Sequence, residues 1–325
     1  MDNSPNPTQR PSFLEEQNSV SVVNSRMGND VSPRMRRLMS AVVKHLHELT
    51  IEVEPTHDEW KQAIEFLTEV GHTCTDWRQE FILLSDVLGV SMLVETINSR
   101  RPSGATENTV LGPFYVPEAP RYPNGSNICL DGKGEPLVVR GRVTDLDGKP
   151  IPGALVDVWQ TNDDGFYDVQ QKGVQPDWNL RGVFTAEEDG SYWYRSTKPR
   201  FYPIPDDGPV GKLLEKLGRH PNRAAHIHFI VSAPGYDPVI THIFTDDCQY
   251  LYEDAVFGVR ESLIANFKTI SDAAEEAEVG LAGVDFARPY HFVETDFVLT
   301  KRADIDLQGV DASCRTFGLT GEGIG

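Results

Sequence analysis

The stretch LVVRGRVTDLDGKPIPGALVDVWQ, residues 137–160, decides the fold class. Its Asp147-Gly148 turn signal sits between two alternating, β-branched runs, Val138–Val143 and Ala154–Trp159. An Asp-Gly turn between such runs predicts a hairpin. Further strands are expected at Ser191–Ser196, His226–Ser232, Ile240–Thr245 and Tyr290–Leu299. Short strands divided by turn residues, with few helices between them, point to a mainly β chain folded as an antiparallel β-sandwich.

Upstream of the strands the period changes. Met35, Leu38, Met39, Val42, Val43, Leu46 and Leu49 recur at steps of three and four, marking one apolar helix face. Further faces follow at Trp60, Ile64 and Leu67, then at Trp77, Phe81, Leu84, Leu88 and Met92. Three such helices make a thin core alone, so they are expected to pack on the rest of the chain or on a second subunit, with a homodimer as the simplest arrangement. Residues 1–32, rich in Asn, Ser, Pro and Gln, bury little and are expected to form a disordered or extended arm. The expected domains are therefore 1–32, a helical dimerisation and linker domain at 33–105, and the β-sandwich at 106–325.

Across all 325 residues the formal charge is -19, and the sequence pI is near 4.8. Both argue against nucleic acid or an anionic membrane surface as a partner. Cys74, Cys129, Cys248 and Cys314 are scattered without a CxxC pair, as in a reduced compartment. The N-terminus carries no apolar signal core, and no run of 18 apolar residues occurs. A cytoplasmic protein outside the membrane is expected.

Chemistry concentrates in HIHFIV, residues 226–231. In a strand the period of two points His226 and His228 to one face, a geometry that suits a metal. Two histidines hydrogen-bonded on a sheet would read the same way. There is no HExxH helix, and no carboxylate at a spacing that completes a two-His-one-carboxylate triad. Tyrosines on loops are the other oxygen donors: Tyr167 in NDDGFYD and Tyr202 in PRFYPIPDDGP. Loop tyrosines also serve in stacking and packing. If both join the histidines, two hard phenolate donors favour ferric iron over ferrous iron or zinc. The metal's charge would then hold the phenols deprotonated far below their usual range.

Three long segments, residues 141–168, 180–205 and 218–244, resemble in order the intradiol ring-cleavage dioxygenases. The similarity extends from about residue 34 to 300. The motifs FILLSDVLGVSMLVETIN, ATENTVLGPFYV and YEDAVFGVRESL, with His242 in THIF where bacterial catechol enzymes carry Gln, are similar to the hydroxyquinol branch. This resemblance implies one non-haem Fe(III) per subunit, held by Tyr167, Tyr202, His226 and His228. It also implies that Arg223 stabilises negative charge on the ring, and that Tyr202 takes a substrate proton. Leu83, Asp86, Val110, Leu111, Gly112, Arg223, His242 and Val256 are expected to bind the substrate, with Asp86 accepting a hydrogen bond from a third ring hydroxyl. The implied reaction inserts both atoms of O2 into hydroxyquinol, giving 3-hydroxy-cis,cis-muconate and its keto form maleylacetate. Relatives dimerise through the helical segment and can hold a phospholipid there. The alternatives are catechol cleavage to cis,cis-muconate, or a non-catalytic transthyretin-like module, since such modules share the GxVxDxxGxPIPGAxV pattern.

Overall fold

The structure is a computed structural model describing residues 13–76, 78–281 and 287–302. Trp77, Cys314 and the first twelve residues of the expected arm lie outside the described residues. The chain divides into two compact units with the boundary between Glu69 and Val70.

In the first unit, α1 spans Ser19–Ser25, α2 Pro33–Val53, and α3 begins at His57 and runs to Thr73. Ser32 caps α2 by accepting from the Met35 amide at 3.2 Å, and Pro33 occupies the first turn, where a missing N–H costs nothing. The extended arm expected through residue 32 is corrected here, because a 3-10 turn at Glu16–Asn18 leads into α1. Val22 is buried, and Ser19 Oγ bonds His47 Nδ1 on α2 at 3.0 Å, so the SVSVV run has a surface to fold against. The stripe on α2 stays open: Met35, Leu38, Leu46 and Leu49 are exposed.

In the second unit, α4 is Glu80–Val87 and α5 is Val90–Asn98. The third expected helix is thus two helices, broken at Leu88-Gly89. These helices fall in the same compact unit as the β region. The strands are β1 Pro136–Asp145, β2 Leu155–Gln160, β3 Arg181–Thr185, β4 Ser191–Thr197 and β5 Tyr202–Pro203. After α6 (Pro209–Lys216) come β6 Asn222–Arg223, β7 His226–Ser232, β8 Val239–Thr245, β9 Ile264–Ala265 and β10 Lys268–Ile270. The short α7, Ala273–Glu278, precedes β11 Tyr290–Glu294 and β12 Phe297–Leu299.

Among the described residues, one sheet has the order β10-β11-β1-β12 with β4 on the other side of β1, and a second has the order β3-β2-β7-β8-β9. Both are mixed. β1 runs parallel to β11 and β12, and β8 runs parallel to β9, which corrects the purely antiparallel expectation. The hairpin is corrected too. Asp145 closes the turn by accepting from the Asp147 and Lys149 amides, both at 3.0 Å. Pro150 and Pro152 have no N–H to extend the ladder, and the chain crosses to the second sheet, where β2 pairs with β3 and β7.

One core takes Leu137, Val139 and Val143 from β1, Val156 and Val158 from β2, and Ile227, Phe229 and Val231 from β7. Each such aliphatic or aromatic side chain contributes about 1.5–3 kcal/mol by leaving water. Alternation along β7 then forces residues 226, 228 and 230 onto the opposite face. There Ile230 packs with Trp159, Tyr167 and Tyr202 beneath Leu111, Phe114 and Tyr115 of the loop after α5.

Candidate active site

Three local devices bring the site residues onto that outer face. β7 and β8 place His228 directly opposite His242, with His226 two pairs along, opposite Phe244. Tyr167 is set by an Asx turn: Asn162 Oδ1 accepts from the Asp164 amide at 3.1 Å and the Phe166 amide at 2.9 Å, with Gly165 at φ +84°. A Cβ on Gly165 would meet the Phe201 carbonyl at 3.1 Å and Tyr202 Cβ at 3.3 Å, so glycine also lets the two tyrosine loops approach. Tyr202 lies opposite Arg223 in the two-residue ladder of β5 and β6.

The result is a buried cluster of donors. Tyr167 Oη is 2.8 Å from His228 Nε2 and 3.2 Å from Tyr202 Oη, and His226 Nε2 is 3.1 Å from His228 Nε2. An ion with bonds of about 2 Å separates neighbouring donors by about 2.8–3.3 Å, so these spacings fit one. His226 Nδ1 donates to the Ala224 carbonyl at 2.6 Å, which leaves Nε2 as the free donor toward a metal. Trp159 stacks on His228 at 4.6 Å, and Phe114 on Tyr167 at 4.6 Å. His226, His228 and His242 also form a group whose ligand atoms lie within 4.8 Å of one another.

Electrostatics suit the same reading. Burial keeps His228 and His242 neutral well below the ordinary imidazole range, and burial followed by the Arg223 charge pushes His226 down to about 3. Burial raises the Tyr167 phenol, and the neighbouring Tyr202 adds to this, while Arg223 and Arg181 oppose both. Without a cation that phenol stays protonated; a bound metal ion supplies the missing charge.

Arg223 is buried against Asp254, with Nε 3.3 Å from Oδ1. Asp254 also accepts from the Ala224 amide at 2.9 Å and the Gly258 amide at 2.7 Å. Among the described residues Arg223 Nη2 has no hydrogen-bond partner. Arg181 bonds Asp168 at 2.6 Å and the Phe114 carbonyl at 2.8 Å. Sequence reasoning missed Asp254 and Arg181, and also Thr109, whose Oγ1 lies 2.6 Å from His242 Nδ1. All three stand inside segments that had been singled out, without a role being assigned to them.

Among the expected pocket residues, Gly112 abuts the donor cluster: a Cβ there would meet His228 Cε1 at 3.1 Å. Leu111 packs with Tyr167 and Tyr202. Val110 lies between Leu111 and the Thr109 that bonds His242. Val256 is buried in the loop behind Asp254. Asp86 on α4 lies within reach of the Arg223 charge: burial raises its carboxyl, while Ser91 and Arg223 act against the rise. Leu83 is partly buried one turn earlier. The three described cysteines are free.

The comparisons with known proteins fall in line with this arrangement. Residues 110–297 match the family model described as Dioxygenase, and residues 32–106 match the model described as Catechol dioxygenase N terminus. The fold and the matches define a dioxygenase. The chain is 57% identical over 289 residues to the hydroxyquinol 1,2-dioxygenase of Rhizobium sp. (strain MTP-10005), covering 89% of this chain and 96% of that protein. The crystal structure of the hydroxyquinol 1,2-dioxygenase of Pseudomonas putida DLL-E4 superposes with TM-score 0.81 at 43% identity, covering 88% of this chain and 97% of that one. The wild-type catechol 1,2-dioxygenase of Acinetobacter radioresistens gives TM-score 0.72 at 28% identity, covering 89% and 94%. This chain belongs to the intradiol ring-cleavage dioxygenases. Membership sets aside the non-catalytic binding module. Among the described residues no helix is long and apolar enough to cross a membrane.

Proposed function

We propose that the protein cleaves hydroxyquinol between its two adjacent hydroxylated carbons, adding both atoms of O2 to give 3-hydroxy-cis,cis-muconate, the enol form of maleylacetate. The observation that carries this reading is the buried Tyr167-Tyr202-His226-His228 donor cluster, with a carboxylate, Asp86, placed within electrostatic reach of Arg223. Fe(III) is the metal this donor set suits, through its two hard phenolates, with one ion per chain. When bound, it supplies a Lewis acid that draws electron density from a chelated diolate, so that the ring reacts with O2 without an external reductant.

The chain's own groups do the rest. Tyr202 Oη accepts one diol proton as the substrate binds. Arg223, buried and with Nη2 unpartnered, stabilises negative charge developing on the ring. Asp86 accepts a hydrogen bond from the third hydroxyl, which catechol lacks; a half-buried carboxylate left one hydrogen bond short disfavours the wrong ring. Leu83, Val110, Leu111, Gly112, His242 and Val256 wall the ring and exclude water. Catechol is the second substrate, supported by the catechol dioxygenase structure that shares this fold.

The two sheets, sharing one core, act as a sandwich-like scaffold for the site. The open apolar stripe of α2 supports a homodimer, with a phospholipid between the subunits as its further consequence. Free thiols accord with a cytoplasmic setting. The test is oxygen consumption by iron-loaded protein with hydroxyquinol and with catechol. A hydroxyquinol preference of about tenfold or more in kcat/KM is expected, because catechol leaves the half-buried Asp86 carboxylate one hydrogen bond short. Equal rates, or a preference for catechol, would overturn the substrate assignment.

A further inference from the structure

Arg219 stands in the turn after α6, within the GRHPNRAAHIHF segment, and the reaction as described assigns it nothing. Its Nη1 donates to the Val87 carbonyl at 2.5 Å and its Nη2 to the Ala255 carbonyl at 2.9 Å. Its guanidinium carbon lies 4.8 Å from the centre of the Phe257 ring. Val87 follows Asp86, and Ala255 precedes Val256. One planar group therefore ties the helix that carries Leu83 and Asp86 to the loop that carries Val256.

The contact at Val87 has a physical reason. The last carbonyls of a helix lack intrahelical partners, and a cation there both satisfies them and meets the negative end of the helix dipole. The other end of α4 is fixed by the same stretch of chain: buried Glu80 accepts from the Val210 amide at 3.2 Å, and Arg78 bonds Glu80 at 2.8 Å and Asp207 at 2.7 Å. The facing loop is anchored at Asp254, by the Ala224 and Gly258 amides. The Arg219 fork bridges these two anchored walls.

We infer that Arg219 is a specificity-determining positioning residue, which fixes the Asp86 helix against the Val256 loop and so aligns the slot for the third ring hydroxyl. This rests on the reading above, in which those two elements wall the ring pocket. A lysine at 219 would present a point charge to one carbonyl and lose the fork, whereas a methionine would keep the stem and lose every donor.

The test compares wild type, Arg219→Lys, Arg219→Met, Asp86→Ala and the double variants with Asp86→Ala, all iron-loaded. The readouts are kcat/KM for hydroxyquinol and for catechol, iron content and Tm. Arg219→Met should lower the hydroxyquinol-to-catechol ratio by about tenfold, chiefly through KM for hydroxyquinol, with iron retained, and Arg219→Lys should fall between. In the Asp86→Ala background the same substitutions should move the ratio less than about twofold. If Arg219→Met does not fold, Arg219→Lys carries the comparison. An unchanged ratio, or an equal shift in both backgrounds, overturns the inference alone. Wild-type protein that opens neither ring overturns the functional reading and this inference with it.

Discussion

Tyr167 brings to the pocket an oxygen that the protein alone holds as a neutral phenol, 2.8 Å from an imidazole that is also neutral. Tyr167→Phe should therefore lose both tightly bound iron and any phenolate-to-iron absorption contributed by this residue, which metal analysis and the visible spectrum would show. Full iron occupancy with an unaltered spectrum would remove Tyr167 from the ligand set. At Asp86, replacement by Ala should reduce the preference for hydroxyquinol over catechol by about tenfold or more, read from the two kcat/KM values. Gly112→Ala should cost about 1 kcal/mol or more and depress activity, since φ is +77° and the new Cβ would press on His228 at 3.1 Å. Thermal melting and steady-state rates check it. Period two put the histidines on one face, a pattern two hydrogen-bonded sheet histidines would also give, and the tyrosines were legible only as loop donors. Arg181 was not legible, because its partners Asp168 and the Phe114 carbonyl are distant in sequence and meet only in the fold.

At the scale of elements, the two-residue ladder of β5 and β6 and the loop from Asp254 to Gly258 hold Arg223 from two sides. Asp254→Ala removes the acceptor for the Arg223 guanidinium and for two backbone amides at once. Its kcat/KM should fall by about 10–100-fold, while Asp254→Asn, which keeps one acceptor oxygen, should lose less. Kinetics matching wild type in both would show that Arg223 is placed by other means. A two-residue strand has no periodicity to read, so this ladder was invisible in the sequence. The long strands at 191–197, 226–232 and 239–245 were visible. The crossing after Asp147-Gly148 was misread as a hairpin because the turn is real, and only the two following prolines divert the strand. The parallel pairing of β11 and β12 with β1 depends on contacts about 150 residues apart, beyond what local pattern encodes.

For the whole molecule, the buried imidazoles tie stability to pH. His226 is pushed down to about 3, and His228 and His242 are lowered as well, while unfolding returns each to its ordinary value near 6.5. The folded form thus binds fewer protons, so this stability is fully present above about pH 6.5 and is lost as pH falls toward 3. Each such histidine steepens the fall, because unfolding lets it take up a proton. Metal-free protein should melt at progressively lower temperature from pH 7 to pH 5; a flat profile would mean these rings are not held neutral. The central claim, intradiol opening of hydroxyquinol, is tested most directly by the mass of the product formed under 18O2. The expected product is an open-chain hydroxymuconate isomer carrying two 18O atoms, with the ring broken between the two adjacent hydroxylated carbons. A product cleaved outside the diol, or one carrying no label from O2, would contradict it.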